Sequence, residues 1–275
     1  MTWILAGGLL VGASALLWWL RLRPSNERDW SPEYAKMPWA QIEGDAVTIH
    51  NFRHCDYRSR TDFTPHWETK RVHLSQLRGV DFLMNYFGTA YLAHTLVSFD
   101  FGAEGHVAIS IETRRQQGDV YSPLRGMFRQ YELCYVIGDE RDLIRVRTNY
   151  RNQEVFLYPL VDAEPERYRK LFVTYLEAAN ELRDRPRWYH SAIDNCTTNI
   201  RLHARASGFA TAWNWRLLLN GYADELLYRI GWIDRALPFA ETKARARITE
   251  RVRATEPGPD FSARIRTAAA PDVIR

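Results

Sequence analysis

The residues with the most distinctive chemistry surround Cys196, in the segment 189–201. Asp194 or Asn195 can cap a helix that begins at this cysteine, and residues 196–205 contain no Gly or Pro. A helix start favours thiolate over thiol through its dipole and its unpaired N–H groups, and thiolate is the nucleophilic form. The pattern therefore predicts a cysteine suited to acyl transfer. The alternative is a buried cysteine that only packs against its neighbours.

A thiol nucleophile needs a base within hydrogen-bond reach, and His94 is our first candidate. Segments 94–101 and 106–114 are rich in β-forming residues and predict a hairpin. Because side chains alternate along a strand, His94 lies near Glu112 and Arg114 on one face if the loop length is odd. We predict that Glu112 orients His94; a one-residue slip would move it to the other face. The alternative is a hydrated His94 that merely opens a strand.

Three other histidines compete with His94 as the base, and only two of them are disfavoured by position. His106 follows a loop glycine, so we expect it near the hairpin tip and hydrated. His190 precedes Cys196 by six residues and can approach the thiol. His203 follows it by seven residues, about two helical turns, which is too far for direct contact.

The helix start also supplies candidates for binding the substrate oxygen. Backbone N–H groups near Cys196 and Thr197 can hold an oxyanion. We take Asn195, Thr197 and Arg114 as candidate substrate-binding or oxyanion residues.

Composition and motifs exclude several classes of function. The 275-residue chain has a net charge of +4 with both signs interspersed, so nucleic acid is not an expected partner. The sequence has three cysteines but no CxxC, and it lacks G-x-S-x-G, Walker A and H-E-x-x-H motifs. We therefore predict no metal ion and no cofactor. The length suits one sizeable domain or two small ones.

The elements that must position these residues indicate an α+β fold. Segments 131–137, 143–148 and 155–160 predict further strands, giving an antiparallel sheet of about five strands packed on helices. Apolar spacing predicts helices over 77–87 and 168–182, whereas residues 51–66 are expected to be irregular.

An apolar, uncharged run over residues 2–20 predicts one N-terminal transmembrane helix, an uncleaved anchor. We therefore divide the chain into an anchor (1–23), a linker (24–45), a catalytic domain (46–240) and a C-terminal tail (241–275) that adds little core. Arginines after the apolar run favour a cytoplasmic location for the rest of the chain.

Four segments together resemble the Lnb N-terminal periplasmic domain family, in order along residues 47–231. They are 93–99 (AHTLVSF), 109–115 (ISIETRR), 195–198 (NCTT) and 221–225 (GYADE). Members of the family often carry further membrane segments, whereas only residues 2–20 qualify here.

The resemblance implies a circularly permuted papain-like fold with histidine before cysteine. It implies Cys196 as the nucleophile and His94 as the base. The role of Glu112 as orienting residue is inferred instead from the alternation of side chains along the strands. The resemblance also implies a periplasmic domain. We prefer this location to the cytoplasmic one, because a few arginines bias the membrane orientation only slightly and a folded domain can be translocated despite them.

The sequence thus predicts a membrane-anchored cysteine acyltransferase or hydrolase. It would be a single-pass protein of the inner membrane with its soluble domain in the periplasm. The expected partners are the lipid bilayer and an acylated protein or lipid, with bacterial lipoproteins the preferred substrate through intramolecular acyl transfer. One alternative is a papain-like cell-wall amidase or peptidase. Another is a non-catalytic binding or scaffold protein with an inert Cys196. The oligomeric state stays open.

Overall fold

The computed structural model describes residues 7, 10, 12–14, 17, 19–161, 164–209, 214–217 and 219–267. This part of the chain folds around one large sheet with helices packed on it, a mixed α+β architecture. The strands are β1 (Trp39–Glu43), β2 (Ala46–Tyr57), β3 (Phe63–His73), β4 (Gly79–Tyr86), β5 (Ala93–Asp100), β6 (His106–Arg114), β7 (Glu132–Gly138) and β8 (Glu154–Pro159). The α-helices are α1 (Glu140–Leu143), α2 (Pro165–Asp184), α3 (Cys196–Ala206), α4 (Ala223–Ile230), α5 (Phe239–Ala246), α6 (Thr249–Ala254) and α7 (Phe261–Arg266).

The eight strands are ordered β1-β2-β7-β6-β5-β4-β8, and β3 pairs with β2. Neighbouring strands are antiparallel except for β2 and β7, which meet in parallel at a single register pair. The predicted hairpin is β5–β6, in which Leu96 pairs with Ser110 and Asp100 with His106. This register brings the start of β5 beside the end of β6.

Helix α2 confirms the apolar stripe predicted over residues 168–182. Seven of its side chains are buried against one face of the sheet. They are Tyr168, Leu171, Phe172, Tyr175, Leu176, Ala179 and Leu182. The helix begins with Pro165 in its first turn, where the missing N–H costs no hydrogen bond.

Three local assignments were wrong, and two of them make the sheet larger than predicted. The expected helix over 77–87 is strand β4, whose six central residues are all buried, so apolar residues on both faces imitate helical spacing. The expected irregular stretch 51–66 forms most of the β2–β3 hairpin, where polar side chains occupy the exposed face. The expected strand over 143–148 is instead the end of α1 and a π-helical turn, Val146–Tyr150.

The segment 24–45, predicted to be a linker, packs on the folded body. Trp30 and Tyr34 are buried, and strand β1 pairs with β2. The Asn26 side chain donates hydrogen bonds to two backbone carbonyls at the end of α2. The folded body therefore begins at least as early as Asn26.

The tail from residue 241 contributes more core than predicted. Ile248, Val252, Phe261 and Ile265 are at most 1% exposed and form part of a second apolar cluster with residues of the sheet. The tail contains few large apolar residues, but helices α6 and α7 turn these inward.

Among the described residues, no helix is long and apolar enough to span a bilayer. Most of the predicted anchor, residues 2–20, lies outside the described residues.

Candidate active site

Cys196 is the first residue of α3, and a capping box fixes that turn. The Thr198 N–H donates to Asn195 Oδ1 at 3.0 Å, and the Asn195 N–H donates to Thr198 Oγ1 at 2.9 Å. The cap is thus Asn195 rather than Asp194. Its amide also donates to the Ser191 carbonyl at 2.7 Å, so the predicted substrate-binding side chain is fully engaged in holding the helix start.

Strands β5 and β6 place His94 beside Glu112. The His94 Nε2 atom lies 2.6 Å from Ser110 Oγ and 3.3 Å from Glu112 Oε1, and Ser110 donates to Glu112 at 2.7 Å. The charge of His94 and a hydrogen bond between the two side chains both act on the pKa of Cys196, so His94 and Cys196 are neighbours. The structure therefore brings together the three residues that the sequence predicted as catalytic.

A buried arginine, Arg147, completes this arrangement. Its guanidinium donates to Glu112 Oε1 at 2.7 Å, to Ser110 Oγ at 3.0 Å and to Asn85 Oδ1 at 3.0 Å. It contacts the same carboxylate oxygen, Glu112 Oε1, that faces His94 Nε2. Sequence reasoning missed Arg147 because it placed residues 143–148 in a strand, and no local motif marks the π-helical turn that carries it.

The charges of the site favour a thiolate–imidazolium pair. Burial alone would raise the pKa of Cys196, but the charge of His94 and hydrogen bonds from His94 and Thr95 lower it to about 6. Burial would lower the pKa of His94, but Glu112 and Cys196 raise it to about 9. Burial likewise opposes ionisation of Glu112, yet His94 and Arg147 hold its pKa well below the ordinary value. Both shifts favour a proton on His94 over a proton on Cys196.

The other two cysteines have the opposite electrostatic environment. Burial raises the pKa of Cys55 to about 12 and raises that of Cys134 as well. Cys196 is 5% exposed and is the cysteine whose thiolate form is stabilised at neutral pH.

Two threonines flank the thiol. Thr95, next to His94 on β5, provides both a backbone and a side-chain hydrogen bond that lower the pKa of Cys196. Thr197 Oγ1 lies 3.8 Å from Cys196 Sγ and 3.5 Å from Thr95 Oγ1. Thr197, which the sequence named as a candidate, thus lies at the site. Thr95 also lies there, although the sequence analysis did not name it.

Arg114, by contrast, is not at the thiol. Its guanidinium donates to the carbonyls of Tyr34 and Ala35 and to Asn26 Oδ1, and it stacks 4.2 Å from the Trp30 ring. The predicted substrate-binding arginine instead joins the N-terminal segment to strand β6.

The remaining histidines have other partners. His203 is buried, accepts or donates a 2.6 Å hydrogen bond with the Tyr135 hydroxyl, and has its pKa lowered to about 4 by burial. His190 Nδ1 accepts from the Ala192 N–H within the loop before α3. His106 lies at the hairpin tip as expected, but it is largely covered rather than hydrated.

Around His106, donor atoms of Asp81, His106 and Glu140 lie within 4.8 Å of one another. The Arg266 guanidinium makes ion pairs of 2.6 Å with Asp81 and 2.5 Å with Glu140. An arginine therefore already supplies the positive charge that these carboxylates attract.

Comparison with known families places this geometry in context. The family model for the Lnb N-terminal periplasmic domain matches residues 63–221, more than half of the chain and a range that contains His94, Glu112 and Cys196. No curated protein and no solved structure matches the chain. The chain therefore belongs to the Lnb N-terminal periplasmic domain family, and the matched residues form a periplasmic domain.

Proposed function

We propose that this protein is a thiol-dependent acyltransferase or hydrolase, with Cys196 as nucleophile, His94 as acid and base, and Glu112 as the residue that orients His94. The observation that carries the proposal is the pairing of a helix-start thiolate with a histidine whose Nε2 is held by Ser110 and Glu112. The nucleophile neighbours the base, and the base contacts the orienting group, as such catalysis requires.

A circularly permuted papain-like fold accords with this arrangement. The nucleophile opens helix α3, and the base lies on strand β5, about one hundred residues earlier in the chain. Cys196 and His94 would then perform the chemistry that papain-like enzymes perform with the reverse chain order.

The reaction would proceed through a thioester. Cys196 Sγ attacks the acyl carbonyl carbon, and the carbonyl π-electrons move to oxygen. The tetrahedral species collapses, the bond to the leaving group breaks, and His94 gives its proton to that group. An acceptor then attacks the thioester and loses a proton to His94. The acceptor is an amine or hydroxyl in a transfer reaction and water in hydrolysis. The thiolate leaves, and the imidazolium is restored.

The helix start suits the charge that develops on the carbonyl oxygen. The first-turn N–H groups of Cys196 and Thr197 have no partner four residues earlier within α3, as at any helix start. Donors fixed in this way stabilise an oxyanion by about 2.7–4 kcal/mol each in comparable enzymes.

An acylated substrate at the bilayer, with bacterial lipoproteins preferred, is supported by the surface beside the N-terminal segment. Val120, Leu124 and Phe128, which lie close together in the sequence, are 54–73% exposed, and exposed apolar patches mark protein or membrane contacts. Trp19 donates to the Phe128 carbonyl at 3.4 Å and stacks 4.2 Å from Arg129. Exposed apolar residues with Trp and Arg suit a lipid–water interface. We propose that this surface faces the inner membrane on its periplasmic side, with residues 2–20 as a single-pass anchor.

The test is incubation of the full chain, in detergent micelles, with a synthetic lipopeptide that carries ester-linked acyl chains. Tandem mass spectrometry would locate the acyl groups before and after reaction. Relocation or loss of one chain in the wild type but not in Cys196→Ala supports the proposal. Cleavage of amide bonds in peptidoglycan fragments instead would favour the amidase alternative, and a thiol inert to iodoacetamide at pH 7 would favour a scaffold.

A further inference from the structure

An apolar cavity of about 120 Å³ lies between α3 and α4. Its wall includes Phe82 of β4, Ile200 and Ala204 of α3, Leu227 of α4, and Trp232. Apolar cavities of about this size stay dry and take up hydrocarbon, as one of about 150 Å³ does with benzene. Arg201 and Asn214 also line this cavity, but most of its wall is carbon, which suits an apolar ligand better than a sugar or a charged peptide.

The cavity begins one residue from the candidate catalytic thiol. Thr197 forms part of its wall, and the Thr197 hydroxyl lies 3.8 Å from Cys196 Sγ. Thr197, Ile200 and Ala204 follow one another at helical spacing, so the cavity runs along one face of α3 away from its first turn. At 1.5 Å per residue these positions span about 10 Å.

We infer that this cavity binds the first part of the acyl chain while its carbonyl carbon is attached to Cys196. The inference rests on the proposed function and adds to it the location and chain-length preference of the acyl group. Thr197 would contact the carbons nearest the carbonyl, and Ala204 those farther along. The half-exposed rim residue Ile230, 43% exposed, marks where a longer chain would leave the cavity.

The experiment uses the full chain in detergent and measures kcat/KM for 4-nitrophenyl acetate, butyrate and octanoate. Ala204→Leu fills the cavity, whereas Leu227→Ala enlarges it. Ala206→Leu is the matched control, because Ala206 is exposed on the same helix and lies outside the cavity wall. Iodoacetamide alkylation of Cys196 is measured on each variant as a readout that is independent of the acyl chain.

We expect Ala204→Leu to lower the octanoate-to-acetate ratio by about tenfold or more, since one methylene in an apolar pocket is worth about 10–200-fold. Leu227→Ala should shift the preference towards the octanoate, and Ala206→Leu should keep the wild-type ratio. Cys196-dependent acetate turnover with unchanged ratios in both cavity variants would overturn the cavity inference alone. Absence of Cys196-dependent turnover of every ester, with slow alkylation, would overturn the proposed function itself. If Ala204→Leu does not fold, the Leu227→Ala ratio decides.

Discussion

The two ends of the β5–β6 hairpin contain the same kinds of residue but differ in what the arginine does. At the open end, Arg147 and His94 both contact Glu112 Oε1, so the arginine leaves this carboxylate available to the histidine. At the tip, Arg266 binds both Asp81 and Glu140, and His106 Nε2 is 3.7 Å from its nearest carboxylate, on Asp100. A histidine beside carboxylates and an arginine is therefore not sufficient to make a site.

The electrostatics of the two ends differ in the same way. At the tip, burial would raise the pKa of Glu140, but Arg266 lowers it to about 2, whereas burial raises the pKa of Asp81 despite the same arginine. At the open end, the groups that titrate nearest neutrality are Cys196 and His94. Perturbed pKa values occur in structural networks as well as in active sites. A thiol brought by α3 is what distinguishes the open end.

Loss of the thiol should have the largest effect. Cys196→Ala should lower acyl-transfer kcat by about 10⁴-fold or more, because triad enzymes lose up to about 10⁶ when the nucleophile is removed. Cys55→Ser and Cys134→Ala should keep kcat within about threefold, although Cys134→Ala removes buried atoms and lowers stability. Activity is measured with 4-nitrophenyl acetate, and folding by circular dichroism. Wild-type activity in a folded Cys196→Ala would end the thiol mechanism.

Replacing the two histidines compares the ends directly. His94→Ala should lower kcat by about 10²–10⁴-fold, the usual contribution of a general acid–base group. It should also return the pKa of Cys196 to its ordinary value or above, because burial then acts without the histidine charge. His106→Ala should leave both quantities near those of the wild type. The measurement is the iodoacetamide rate against pH; an unshifted midpoint in His94→Ala would assign the base elsewhere.

The sequence predicted the placement of side chains at the open end better than it predicted the sheet that holds them. Cys196 at a helix start and Glu112 opposite His94 follow from short-range rules, namely capping and strand alternation. Arg147 and Thr95 could not be found in this way, because their roles depend on contacts between distant parts of the chain. Strand β4 was mistaken for a helix because a strand buried on both faces lacks period-two alternation.

Replacing the carboxylates that pair with arginine should distinguish a loss of activity at the open end from a loss of stability at the tip. Glu112→Gln should lower kcat by about 10–100-fold and lower the pKa of His94, because the carboxylate charge raises that pKa. Glu140→Gln should leave kcat unchanged and instead destabilise the fold, since breaking a buried ion pair costs about 3–5 kcal/mol. Urea unfolding and kcat are measured on both variants. Equal loss of activity in Glu140→Gln would show that the two ends are coupled.

The pH dependence of the wild type should report the open end alone. The pKa of Cys196 is lowered to about 6, so the thiolate is present above that pH and is lost as pH falls through it. The pKa of His94 is raised to about 9, so its proton is present below that pH and is lost as pH rises through it. The profile of kcat/KM should be a bell with limbs near 6 and 9, falling about tenfold per pH unit outside them. A single limb near 8.5 would mean an unpaired thiol.

Removal of residues 1–23 should have the smallest effect on the chemistry at Cys196. Asn26 and Trp30 contact the folded body, so a chain that starts at Pro24 retains these contacts, whereas one that starts near Asp29 would lose the Asn26 bonds to α2. The shortened protein should fold and keep its Cys196 alkylation rate and its 4-nitrophenyl acetate turnover within about twofold. Turnover of a lipopeptide embedded in vesicles should fall by about tenfold or more, because tethering raises the local concentration of enzyme at the bilayer. Equal turnover in vesicles would show that residues 1–23 do not assist catalysis at the membrane. Aggregation of the shortened protein would show instead that those residues cover an apolar surface, of which Leu124 and Phe128 beside Trp19 are the nearest candidates.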